Sequence, residues 1–201
     1  MTTTQQIRDW WAPPCQGPFV RVDLYGEGAV SVRPEVVAAV AALGARLKAH
    51  QYRTRKADTG AYNCRPITGG TKYSLHAYGV ALDLNWQSNP YGPSLVTDMP
   101  AAMVADIKAI RTRNGKQVWR WGGNYAGNKD AMHFEVCCSP ADLATGIAAP
   151  IEEEDFDMDA QEFELRIKAA EDRQNQWFRE ELKRVEARLV AAVKAALAAD
   201  G

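Results

Sequence analysis

No run of about 18 uninterrupted apolar residues occurs in this 201-residue chain, so no helix is expected to span a membrane. The start is polar through Asp9 and runs into Trp10-Trp11 and Pro13-Pro14, without the basic, apolar and small-residue order of a secretory leader. Cysteine is sparse. Cys15, Cys64, Cys137 and Cys138 form no Cys-x-x-Cys pair, which excludes zinc-finger spacing and leaves free, buried thiols in a reducing cytosol as the expectation. Gly26-Glu27-Gly28 lacks the third glycine of a phosphate-binding loop. Basic runs interleaved with aromatics are also missing, so no nucleic-acid partner is expected. Histidine occurs only three times, at positions 50, 76 and 133, and the company each keeps carries information.

What is present is the balance of a globular protein, with 46% hydrophobic and 24% charged residues. The charge is divided unevenly. Residues 1–150 hold 16 Lys and Arg against 11 Asp and Glu, and the remainder holds 8 against 14, so a mildly basic body precedes an acidic tail. Such a body suits an anionic polymer, although an excess of this size is also ordinary scatter. Residues 17–32 read as an extended segment broken by glycines. Arg33-Pro34-Glu35 opens a helix with Val36, Val40, Leu43 and Leu47 on one face, ending near His50. Leu82–Trp86 alternates as a strand, a second helix of about ten residues follows Pro100, and Val118–Trp121 and Met132–Val136 read as strands. Short helices and strands in this order predict an α+β fold with an antiparallel sheet in residues 1–148.

The composition changes after Pro150. The run Glu152–Asp155 within 149–158 is expected to be a solvated acidic linker. Residues 159–200 contain neither Gly nor Pro, and Phe178, Leu182, Val185, Leu189, Ala192 and Ala196 step by four and three. A long amphipathic helix is expected. Two readings stand side by side, a coiled coil that makes a homo-oligomer and a single helix lying on the body.

Two short motifs carry the chemistry. In Ser74-Leu-His76-Ala-Tyr-Gly79-Val-Ala81-Leu-Asp83, Gly79 lets the backbone turn so that His76 and Asp83 converge. In Asp130-Ala-Met-His133-Phe-Glu135, the strand period puts His133 and Glu135 on one face. Two imidazoles and one carboxylate form the usual open zinc site, with a fourth position left for water. Asp130 fits the base that takes a proton from that water, and Glu135 fits a support that holds a ligand or a nearby cation. Arg65, among Tyr, Asn and Thr, suits a substrate carboxylate. Trp121, with Trp119 and Tyr125, fits either a wall of the site or the core.

These motifs, with Tyr62-Asn-Cys-Arg65-Pro-Ile-Thr-Gly-Gly and Trp119-x-Trp121-Gly-Gly, resemble the M15 zinc peptidases. That family includes the D-alanyl-D-alanine carboxypeptidases and related phage endolysins, and the resemblance covers roughly residues 17–147. It implies the small α+β fold shared by D,D-peptidases and hedgehog signalling domains. It also implies one Zn2+ ion held by His76, Asp83 and His133, Asp130 as general base where many members carry Glu, Arg65 as substrate or oxyanion cation, and Ser74 as a hydrogen-bonding neighbour. The expected activity is hydrolysis of the peptide stems of bacterial peptidoglycan by a phage endolysin, made in the host cytoplasm and reaching the wall after the membrane is breached. The L-Ala-D-Glu bond is the expected target, with D-Ala-D-Ala carboxypeptidase activity as the alternative. A zinc-containing binding or virion-assembly module without turnover is the alternative of another class.

Overall fold

A computed structural model describes residues 2–67 and 70–149. Three strands build its central sheet: β3 (Ala81–Asp83), β5 (Trp119–Trp121) and β7 (His133–Val136), in the order β3-β7-β5 and antiparallel throughout. All four residues of β7 are buried, as the middle strand of a covered sheet requires. The register sorts the side chains into two faces, because successive residues point to opposite sides. Leu82, Phe134, Val136, Trp119 and Trp121 share the apolar face. Asp83, His133, Glu135 and Arg120 share the other. The apolar face belongs to the core formed with α2 (Val37–Ala49) and α3 (Ala101–Ala109), and the Trp119 indole donates to the carbonyl of Ala39 on α2. Val40, Leu43, Leu47, Met103 and Ile107 complete that core, all fully buried.

The remaining elements surround this body. A hairpin pairs β1 (Val20–Asp23) with β2 (Ala29–Val32), and a two-residue ladder joins β4 (Tyr91–Gly92) to β6 (Lys129–Asp130). The expected α+β class with an antiparallel sheet is therefore observed. The strand expected over 82–86 is shorter, ending at Asp83, because Asn85 takes a left-handed conformation (φ 47°) and its side-chain carbonyl accepts from Arg55 N and Thr59 Oγ1. Two helices were not expected: α1 (Thr4–Trp10) and α4 (Pro140–Ala144). Each is opened by a capping box, Thr3 with Gln6 and Ser139 with Asp142.

The expectation of four free thiols is corrected. Cys15 and Cys64, 49 residues apart, form a disulfide, while Cys137 and Cys138 are free and buried. The pairing is tertiary: Cys15 lies past α1, where its N–H reaches the carbonyl of Ala77, and that brings it against the loop carrying Cys64. No described helix is long and apolar enough to cross a membrane. Residues 1–148 form one unit. The acidic linker and long helix expected beyond Ala149 lie outside the described residues.

Candidate metal centre

His76 sits in a single 3-10 turn, Leu75–Tyr78, capped by the hydroxyl of Ser74, which accepts from the His76 N–H. The turn closes at Gly79 in the left-handed region (φ 68°), where a Cβ would lie 2.7 Å from the Phe19 ring and 3.1 Å from Arg33 N. Only glycine fits there. The chain then enters β3 and delivers Asp83 opposite His133 on β7. On the far side of Asp83, Gly60 pairs with it through two backbone hydrogen bonds of 2.7 and 2.9 Å.

The three side chains converge. His76 Nε2 lies 3.2 Å from Asp83 Oδ2 and 3.2 Å from His133 Nδ1, and His133 Nδ1 lies 3.1 Å from Asp83 Oδ1. The partners of the other ring nitrogens fix the tautomers. His76 Nδ1 is 2.6 Å from the carbonyl of Ala61, which can only accept, so Nδ1 carries the proton and Nε2 offers its lone pair. His133 Nε2 is 3.2 Å from Glu135 Oε2, and the same logic leaves Nδ1 facing the cluster. Two imidazole lone pairs and a carboxylate thus aim at one point, and lone pairs this close need a cation between them.

The electrostatics describe the same cluster with a proton in the place a cation would take. Burial alone would raise Asp83, but the imidazoles of His133 and His76 beside it hold its carboxyl well below the usual range. Burial opposes the charged form of His133, yet Asp83 and Glu135 on either side push it up to about 10. Glu135, also penalised by burial, is kept ionised by His133 and Arg120. Asp130, on β6, is raised chiefly by burial, with the Asp83 and Glu135 charges adding to the effect and His133 opposing it. Its Oδ1 atom is buried with no hydrogen-bond partner. A buried carboxylate oxygen left unsatisfied beside a lone-pair cluster is a group waiting for a ligand. The donor set therefore fits a divalent ion of borderline softness such as zinc, with Asp130 beside it.

Gly122 makes that approach of Asp130 feasible. A Cβ there would fall 2.5 Å from the Asp130 carbonyl and 3.1 Å from His133 Cβ. The other expected residues are placed as follows. Ser74 caps the His76 turn, and Glu135 contacts His133 from behind. Arg65 is exposed on the loop leading to Ser74, its carbonyl accepting the Ser74 N–H. Of the two readings of Trp121, wall of the site or core, its position is that of a core residue. It lies on the apolar face, 7% exposed, stacked on Phe134 with its indole donating to Ala131, so it supports the 131–133 turn from within the core.

Two neighbours escaped the sequence reading as site residues, Arg120, whose place depends on the β5–β7 register, and the Ala61 carbonyl, while Tyr125, read as wall or core, stands beside His133. The Tyr125 ring lies 6.3 Å from that of His133, and burial and the Glu135 charge raise its phenol.

A family model described as D-alanyl-D-alanine carboxypeptidase, from the M15 peptidases, matches residues 68–136. The matched span contains His76, Asp83, Asp130, His133 and Glu135. This match supports an M15 family peptidase. That is a family of metallopeptidases, typically zinc-dependent, that act on peptidoglycan. No curated protein and no solved structure matches the chain.

Proposed function

We propose that this protein is a zinc-dependent endopeptidase that cuts the peptide stems of bacterial peptidoglycan, with the L-Ala-D-Glu bond as target, and that it serves as a phage endolysin. The observation that carries the catalytic part is the unsatisfied Oδ1 of Asp130 beside the cluster of His76, Asp83 and His133. When bound, a zinc ion supplies Lewis-acid polarisation of the scissile carbonyl and of a water molecule. Asp130 then accepts one proton from the attacking water and delivers it to the amine that leaves, so the same carboxyl acts first as base and then as acid. A carboxyl raised by burial is suited to both halves of that exchange. Arg65, on its exposed loop, is proposed to hold a carboxylate of the substrate stem. The Cys15–Cys64 bridge fits a protein that works outside a reducing cytosol.

A second reading, release of a terminal D-Ala by carboxypeptidase action, is favoured by the description of the matching family model. One experiment separates these and tests both. Purified wall is incubated with the zinc-loaded protein and with Asp130→Ala, and released fragments are weighed by mass spectrometry. Fragments ending at L-Ala support the endopeptidase, free D-Ala supports the carboxypeptidase, and equal release by both proteins contradicts catalysis by Asp130. No release by either contradicts the enzyme reading and leaves the binding module.

A further inference from the structure

Behind the metal-facing side chains runs a chain of contacts that leaves the family-matched segment. Glu135 Oε2 holds His133 Nε2, while Glu135 Oε1 accepts a short hydrogen bond from Arg120, which stands directly across the β5–β7 ladder. The Arg120 guanidinium is in turn fixed at its outer end. Nη1 donates to the carbonyl of Thr2 at 2.9 Å and Nη2 to the hydroxyl of Thr4 at 2.9 Å. These partners lie 118 and 116 positions away, ahead of residue 68 where the family match begins.

The N-terminal segment is firmly seated, so it can hold what it touches. Ile7 and Trp11 are buried, and the Trp11 indole donates to the Cys138 carbonyl at 3.1 Å. Arg33 reaches back to the carbonyls of Trp11 and Pro13, Arg8 to that of Tyr73, and the Cys15–Cys64 bridge closes the arrangement. Glu135 is 2% exposed, and an ionised carboxylate so deeply placed needs a fixed counter-charge. A guanidinium presents its donors as a rigid fork, so one end can be aimed by fixing the other.

We propose that Arg120, clasped by Thr2 and Thr4, is a positioning residue. It orients Glu135, hence the His133 ring and its Nδ1 lone pair, and so sets how tightly the His76–Asp83–His133 cluster holds its metal. This rests on the reading of that cluster as a metal site. Carboxylates behind ligating histidines tune metal affinity by about 10–100-fold, and here the N-terminal segment extends that influence beyond the catalytic motifs.

The test is the zinc dissociation constant of the full-length chain, measured by chelator competition for wild type, Arg120→Met, Arg120→Lys and Thr4→Val, with the melting temperature of each zinc-free protein alongside. Arg120→Met is expected to weaken zinc about 10–100-fold. Arg120→Lys, which keeps the charge and loses the fork, is expected to fall between. Thr4→Val, which removes one hydroxyl at the start of a helix, is expected to weaken zinc while leaving the zinc-free melting temperature unchanged. It carries the test if Arg120→Met does not fold. One tightly bound zinc in wild type with equal affinity in the variants overturns the positioning role alone. No zinc bound by wild type overturns the metal reading and this proposal with it.

Discussion

At the scale of single residues, the account rests on atoms whose partners leave them one role. The Ala61 carbonyl and the Glu135 carboxylate each claim one nitrogen of a histidine, so the opposite nitrogens are free for a cation. Removing Asp130 leaves those groups in place. Asp130→Ala is therefore expected to retain its zinc, by metal analysis, while turnover on wall fragments falls by about 10²–10⁴-fold. Equal loss of metal and turnover would reassign Asp130 to holding the ion. Gly122→Ala places a methyl group against the Asp130 carbonyl, so both the melting temperature and the activity should fall, whereas Gly127→Ala, with nothing near its Cβ, should change neither. His76, Asp83 and His133 were legible from the text because each motif is short and its geometry local, a turn closed by glycine and a strand period. Arg120 was not, since nothing local distinguishes an arginine facing a buried glutamate from one facing solvent.

At the scale of elements, the segment from Arg55 to Ala61 flanks the site: Gly60 pairs with Asp83 and the Ala61 carbonyl accepts from His76 Nδ1–H. Asp58 anchors it, accepting from Arg55 Nε at 2.9 Å and from Gln87 N at 3.2 Å. The Arg55 hydrogen bonds hold the Asp58 carboxyl below its usual value, against the opposing pull of burial. A carboxyl depressed in the folded state stabilises fully above its unfolded value near 4, and that contribution fades as pH falls through the folded one. Asp58→Asn should thus be less stable than wild type at neutral pH, by about 1 kcal/mol since Arg55 is largely exposed and screened. The gap between the two denaturant midpoints should be full at pH 7 and shrink as pH falls below 4, and a gap that is constant with pH would contradict the ionic contribution. The elements themselves were legible where periodicity was strong, as in α2 and α3. The helix α1 was passed over because only Ile7 within it is buried, and its sole textual signal was the Thr3–Gln6 capping pair. The strand after Ala81 was read too long because alternation continues past Asp83 while the left-handed Asn85 ends the ladder.

At the scale of the whole molecule, the disulfide ties the N-terminal segment to the loop that leads into His76, a constraint spanning 49 residues. Cys64→Ser is expected to lower the unfolding free energy by about 4 kcal/mol through a less constrained unfolded chain, read from denaturant melts against wild type with and without reductant. A reductant effect on wild type that vanishes in the variant supports the bridge. Identical melts would contradict it. This pairing was not legible, because nothing in the spacing of four cysteines says which two loops the fold brings together. For the residues after Ala149, the expected acidic linker predicts that residues 1–148 alone bind zinc as the full chain does. Light scattering separates the two readings of the helix expected there: a full chain at a multiple of its own mass supports the coiled coil, and a monomer mass supports the single helix.

The central claim, that His76, Asp83 and His133 share one metal ion, is tested most directly by anomalous diffraction from zinc-loaded crystals on both sides of the zinc edge. The account predicts a single peak about 2.0–2.2 Å from His76 Nε2, His133 Nδ1 and a carboxylate oxygen of Asp83. No peak at that point, or one held by other side chains, would contradict it.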